Sequence, residues 1–137
     1  IPTIITQALK GEKVKLGSVS PTRDMNYVSN TVEGFMACAQ SEAAIGKSVN
    51  LGSGREISIG DLAKLIGGLV GHPLEIETDE HRLRPANSEV ERLLASNELA
   101  ANLIGWTPKT GLEEGLQKTI DWMRDNLNRY RSDVYNV

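Results

Sequence analysis

The sequence predicts a small α/β unit, and three observations carry that prediction. Residues 13–16, 48–51 and 74–78 have the alternation or the short apolar run of β-strands. Around them, apolar residues recur at helical spacing in four or five stretches that begin at capping residues and stop at glycine. The 39% hydrophobic and 24% charged content of the 137 residues is that of an ordinary globular chain. Such a chain buries roughly 65–70% of its unfolded surface. The strands are too few and too short for an independent doubly wound domain.

Taken in order, the chain starts with Ile1-Pro2, and Pro2 suits the first helical position. Ile4, Ile5, Ala8 and Leu9 share a face before Gly11 stops the helix. Lys13 to Leu16 alternates charged and apolar residues, the pattern of a half-buried strand. A short extended run is expected around Met25 to Val28. Ser29 or Asn30 then caps a helix whose apolar stripe is Val32, Phe35, Met36 and Ala39, with Gly46 beyond its end. Ser48 to Leu51 reads as a buried strand entering Gly52-Ser53-Gly54.

Ser58 and Asp61 form a capping box, and Leu62, Leu65, Ile66 and Leu69 continue that helix to Gly71. Leu74 to Thr78 alternates again, followed by a charged loop at residues 79–87 in which Pro85 forces Arg84 out of helical geometry. Residues 88–95 fit either a capped turn or a short extended segment. Ser96 or Asn97 caps a short helix ending at Gly105, and Trp106-Thr107-Pro108 is a turn. Thr110 and Glu113 open the longest helix, with its stripe at Leu112, Leu116, Ile120 (or Thr119), Met123 and Leu127.

Charge and composition exclude several functions. A net charge of −3 and a pI near 5.4 give no basic field for nucleic acid or an acidic membrane. No apolar run approaches the ~20 residues a bilayer span needs. The single cysteine, Cys38, cannot form an internal disulfide, which fits a cytoplasmic setting. An opening without Met that runs at once into a helix reads as a cut through a longer protein.

Catalytic and metal chemistry find little support. His72, in a Gly-His-Pro turn, reads as a solvated turn residue, and His81 sits in the charged loop beside Arg82. One cysteine and two separated histidines lack metal-ligand spacing. Gly52-Ser53-Gly54 has no third glycine at a helix start, as a dinucleotide fingerprint requires, and reads first as a tight turn. Arg23 and Arg84 each sit in a loop at the edge of an apolar element, where a guanidinium fork matches phosphate oxygens. Residue types alone leave open a structural reading, with Arg23 paired to a carboxylate such as Asp24 and Arg84 solvated.

The order of the pieces narrows this. Arg23-Asp24 with Tyr27-Val28 and a helix start, then Val49-Asn50-Leu51-Gly52-Ser53-Gly54, then Arg84-Pro85, then Ile104-Gly105-Trp106-Thr107-Pro108 and Leu112-Glu113-Glu114-Gly115-Leu116 resemble one family. They look like the C-terminal half of the nucleotide-sugar epimerases and dehydratases, in the extended branch of the short-chain dehydrogenase/reductase superfamily. The likeness runs from Ile1 to about Leu127. Ser58-Ile59-Gly60-Asp61-Leu62, Arg82-Leu83-Arg84-Pro85 and Glu89-Val90-Glu91-Arg92-Leu93 look most like the UDP-N-acetylglucosamine 4,6-dehydratases.

The resemblance implies a nucleotide-sugar-binding lobe over residues 1–128 and a C-terminal tail over 129–137. It implies a missing N-terminal Rossmann domain that holds NAD and supplies the catalytic Tyr-x-x-x-Lys pair. Four positions after Tyr27 stands Thr31, and four after Tyr130 stands Val134, so neither tyrosine belongs to such a pair. By the same resemblance Arg23 and Arg84 reach the diphosphate of a UDP-sugar or related nucleotide sugar. Asn50 and Asn87 lie beside the nucleotide. Asn30 and Ser96 stand where relatives often carry Asp, and both are expected to serve as equivalent helix caps. The chain alone is expected to be inactive, with no cofactor and no metal of its own. It is also expected to self-associate through the surface left by the missing domain, particularly the Ile4, Ile5, Leu9 face. The alternative reading is a free-standing nucleotide-, phosphate- or protein-binding module derived from such an enzyme.

Overall fold

The computed structural model describes residues 1–83, 85 and 88–130. Among them are five α-helices and five short strands, a small α/β arrangement with more strands than the sequence pattern predicts. They fall into two compact units, each built from separate stretches of chain.

Unit 1 comprises residues 1–21, 58–90 and the chain from Leu116 on. Helix α1 (Pro2–Ala8) starts on Pro2, as its fixed φ favours, and leads into β1 (Lys13–Leu16). The Gln7 side chain binds both backbone groups of Lys15, accepting its N–H at 2.8 Å, and so ties α1 to the strand. Helix α3 (Ile59–Val70) is opened by Ser58, whose Oγ accepts the Asp61 N–H at 3.0 Å and donates to the Asp61 carboxylate at 2.8 Å. The Ser58 cap predicted there is present, with the Asp61 carboxylate taking the Ser58 hydroxyl. After Gly71 the chain forms β4 (Glu75–Thr78), parallel to β1 with Val14 opposite Ile76 and Leu16 opposite Thr78.

The core of unit 1 is apolar. Ile5, Ala8, Val14, Leu62, Ala63, Ile66 and Ile120 are wholly excluded from solvent, and Ile4, Leu16, Leu116 and Met123 nearly so. The last three helical turns of α5 (Leu112–Asp125) supply Leu116, Ile120 and Met123 from the predicted stripe. Ile4 and Ile5 are core residues here, so the open apolar face expected on α1 does not exist. His72 is likewise not simply solvated: its Nε2 lies 3.1 Å from the Ala8 carbonyl and pins the end of α1.

Unit 2 comprises residues 22–57 and 91–115. Its sheet has the order β3-β2-β5, from β2 (Thr22–Asp24), β3 (Glu56–Ser58) and β5 (Arg92–Leu93). Strands β2 and β5 run parallel, with Arg23 opposite Leu93. The extended run expected at 25–28 lies three residues earlier, because α2 (Val28–Gln40) already begins at Val28. Residues 48–51 form no strand, and β3 stands where the pattern gave no signal. Within the ambiguous 88–95 stretch Arg92–Leu93 is strand, as β5, while Ser88 closes a turn on the Pro85 carbonyl. Helix α4 (Glu98–Ile104) ends at Gly105 as predicted and packs on α2.

The largest departure is α2 itself. Its predicted core stripe is open: Val32 is 51%, Phe35 66% and Met36 56% exposed, while Asn30 and Gly34 are buried. Asn30 does not cap the helix either, since the cap position belongs to Tyr27.

Candidate functional site

Strand β2 carries the first sequence-predicted residue, and its neighbour organises everything around it. Asp24 turns away from the strand toward Gly52-Ser53-Gly54. One carboxylate oxygen accepts the Ser53 N–H at 2.7 Å and the Ser53 hydroxyl at 2.5 Å; the other accepts the N–H groups of Gly54 at 3.2 Å and Ala95 at 3.3 Å. Four donors on one carboxylate make this a charge-assisted clamp. Asn97 completes it from the other side, accepting the Gly52 N–H at 2.9 Å and donating to the Gly52 carbonyl at 2.8 Å. Asn97 stands at the cap position of α4 but spends its side chain on Gly52, and Ser96 Oγ takes the Glu98 N–H at 3.4 Å. A Cβ on Gly52 would collide with the Asp24 carboxylate and with Ala95 Cβ, so only glycine fits this approach.

The glycine stretch is irregular, with a bend at Gly54 and no strand leading into it, so the expected tight turn after a strand is absent. Its N–H groups are committed to Asp24 and Asn97, not presented to a phosphate. The clamp also joins the segments bearing two predicted residues: Arg23 precedes Asp24, and Asn50 lies two residues before Gly52. Arg23 is half-buried, and its Nη1 donates to the Thr22 carbonyl at 2.8 Å. Asn50 is exposed. Arg84 and Asn87 lie outside the described residues.

Beside Arg23 the sheet carries an ion pair across its three strands. Glu56 on β3 receives a bidentate fork from Arg92 on β5, at 2.8–3.0 Å, and the Thr22 hydroxyl of β2 at 2.7 Å. Hydrogen bonds from Arg92 and then Thr22 lower the Glu56 pKa to about 2, and the same carboxylate raises that of Arg92.

A second polar hub lies at Asn30, which is 1% exposed. Its Oδ1 accepts the N–H groups of Lys109 and Thr110, each at 3.0 Å, and its Nδ2 donates to the Thr110 carbonyl and Asn26 Oδ1, each at 2.9 Å. The buried Trp106 indole donates to the Asn30 carbonyl at 3.0 Å. This amide uses donor and acceptor together, which a carboxylate at position 30 could not do. The expected equivalence of Asn and Asp as caps is thus the wrong frame for Asn30. No helical or strand period marks Asn30, Asp24 or Asn97, because their partners are backbone groups far away in sequence. The spacing of Arg-Asp before a helix start was the one available signal.

Among the described residues no cluster of three His, Cys, Asp or Glu side chains could hold a metal ion. His81 is exposed, and its neighbour Arg82 donates from Nε to Asp79 at 2.9 Å. No helix of the structure is long and apolar enough to cross a membrane, among the described residues.

The chain as a whole is similar to known proteins. The family described as GDP-mannose 4,6 dehydratase matches residues 1–119. UDP-glucuronic acid decarboxylase 1 of Xenopus tropicalis is 38% identical over 136 residues, 98% of this chain and 31% of that protein. An epimerase structure from Methanothermobacter thermautotrophicus superposes with a TM-score of 0.83 at 30% identity, over 93% of this chain and 38% of that one. A UDP-glucose 4-epimerase structure from Thermotoga maritima, solved with UDP-glucose, gives 0.78 at 27% identity, over 90% of this chain and 38% of that one. The chain spans about a third of the length of the curated relative.

Proposed function

This chain belongs to the GDP-mannose 4,6 dehydratase family, and from that premise we propose that it is the nucleotide-sugar-binding lobe of an NAD-dependent 4,6-dehydratase or epimerase. The observation that carries the reading is the Asp24 clamp. It fixes β2 and the 50–54 segment together, so that Arg23 and Asn50 stand on segments that cannot drift apart. A preorganised arginine beside a rigid segment suits recognition of a diphosphate, where the planar fork binds two oxygens at once. The relative solved with UDP-glucose supports the same ligand class.

In this reading Arg23 and Arg84 bind phosphate oxygens, and Asn50 and Asn87 bind the nucleoside. Their work is holding and orienting the substrate. NAD does not fit the stretch at 52–54, whose N–H groups are already taken, so no step of the reaction is assigned to it within this chain. The cofactor and the catalytic acid–base pair belong to the part of the enzyme outside these residues. Within the family, the finer proposal is a UDP-N-acetylglucosamine 4,6-dehydratase, supported by the Arg82 to Pro85 and Glu89 to Leu93 stretches.

Titration of this chain with UDP and UDP-N-acetylglucosamine, followed by amide NMR, tests the assignment. Shifts are expected at Arg23 and Asn50. Arg23→Ala weakens binding by about 10- to 100-fold, since a charge-assisted hydrogen bond contributes roughly 1.5–3 kcal/mol. Arg23→Lys recovers little of it. Equal affinities for parent and Arg23→Ala would overturn the phosphate role. With NAD added, this chain alone is expected to form no 4-keto sugar; formation of that product would overturn the division of labour.

A further inference from the structure

Besides Asp24, two asparagines hold the stretch that follows Asn50. Residues 47–53 belong to no helix or strand, so no regular ladder sets the direction of the chain there. Side chains do it instead. Asn26, between β2 and α2, donates from Nδ2 to the Leu51 carbonyl at 3.2 Å. Asn97 takes both backbone groups of Gly52, the N–H at 2.9 Å and the carbonyl at 2.8 Å. Asn50 stands immediately before this held run. It is exposed, and its side chain makes no hydrogen bond among the described residues.

The Asn26 amide has one workable orientation, and backbone groups far from it decide which. Asn30 Oδ1 is taken by the Lys109 and Thr110 N–H groups, so Asn30 has only its Nδ2 to offer Asn26. Asn26 therefore presents Oδ1 to Asn30, at 2.9 Å, and turns its NH2 toward the Leu51 carbonyl and Thr31 Oγ1, the latter at 3.3 Å. Each amide is fixed by the one before it, from the 109–110 backbone to the residue next to Asn50.

We propose that Asn26 and Asn97 are positioning residues for Asn50, setting the direction in which its free amide meets the nucleoside. This role presupposes the nucleoside contact of Asn50 proposed above and adds the two side chains that place it. Neither residue touches the ligand. Such preorganisation lowers the ordering cost of binding, so its loss is read as affinity.

Asn26→Ala removes the tie to Leu51, and Asn97→Ala releases Gly52. Each should weaken binding of UDP by this chain about 3- to 10-fold, the worth of roughly one neutral hydrogen bond. In an Asn50→Ala background neither should cost anything further, whereas with Arg23→Ala the losses should multiply. A general loosening of unit 2 does not give that pattern. Without ligand, NMR relaxation should show the backbone amides of residues 50–52 gaining fast motion in either variant. Asn26→Ser and Asn97→Ser, which leave a hydroxyl for the stranded groups, carry the same cycle if an alanine variant does not fold. Parent-like UDP affinity in both variants would overturn the proposal. So would a loss that persists undiminished in Asn50→Ala, or amides at 50–52 as rigid in the variants as in the parent. An Asn50→Ala chain that binds UDP like the parent is a different failure: it removes the nucleoside role of Asn50, and the positioning role falls with it. A parent that binds no UDP overturns the nucleotide reading itself and everything placed on it.

Discussion

The core of unit 1 is apolar side chains packed on one another, whereas unit 2 is tied by side chains that reach across the chain for backbone amides. In the first, Ile5, Val14, Leu62, Ile66 and Ile120 are wholly buried around a two-stranded parallel sheet. In the second, the buried apolar residues are Ala100 and Trp106, while Asp24, Asn30 and Asn97 make the long-range ties. The contrast has a physical consequence. Apolar packing is non-directional and tolerates small displacements, whereas a carboxylate with four donors or an amide with four partners fixes positions to hydrogen-bond tolerance. Unit 2, which carries Arg23 and Asn50, is therefore the unit in which geometry is specified most tightly.

The contrast breaks first at the apolar core. Leu62→Ala removes a fully buried side chain from unit 1 and should cost about 2–5 kcal/mol, the range for cavity-forming substitutions. Urea unfolding measures the loss, and amide exchange locates it: peptides from α1, α3 and β4 should lose protection first. An unchanged midpoint would mean that the unit 1 core is not what holds it.

Asn30→Ala makes the matching test of unit 2. It strands the Lys109 and Thr110 N–H groups and the Thr110 carbonyl, and should cost on the order of 2–3 kcal/mol. Trp106, buried and bonded to the Asn30 backbone, gives a local fluorescence readout. Its emission should move to longer wavelength at lower urea than in the parent. Emission and stability like the parent's would show that water or a rearranged loop replaces the amide, and that the hub is dispensable.

The same contrast decides what was legible in the sequence. Period and capping rules found α1, α3, β1, β4 and the α5 stripe, because in unit 1 each element buries one face against its neighbours. They failed on α2, where Val32, Phe35 and Met36 have a core-like period but remain exposed. They failed at residues 48–51 for the related reason that a strand needs a partner as well as a propensity. They read Asn30 and Asn97 only as candidate helix caps and missed their roles, which depend on backbone groups 79 and 45 positions away. Arg23 and Asn50 came from the resemblance to a family, and the structure adds the clamp that fixes the segments bearing them. Nothing local to Asp24 distinguishes a clamp from an ion pair with Arg23.

The smallest expected effect is electrostatic and tests whether the polar unit is also pH-sensitive. Glu56 carries a pKa of about 2 in the folded chain, well below an ordinary 4.5, chiefly because Arg92 and Thr22 hydrogen-bond its ionised form. A depressed carboxylate contributes stability that is fully present above the unfolded pKa. That contribution is lost as the pH falls from about 4.5 toward 2, where the folded group also takes up its proton. Glu77, Asp79, Asp61 and Glu113 are lowered too, by Lys13, Arg82, Lys64 and Arg55 respectively, so the parent's acid profile alone cannot be assigned to one pair. The difference between parent and Arg92→Ala isolates it. That difference should be constant from neutral pH down to about 5 and should shrink through the 4.5-to-2 window. The pair is exposed, so its size should be modest and should fall in high salt. Thr22 still donates to Glu56 in the variant, which leaves part of the depression in place. A difference that stays constant down to pH 2, or one that grows on acidification, would show that Arg92 acts through packing on β5 and not through the Glu56 charge.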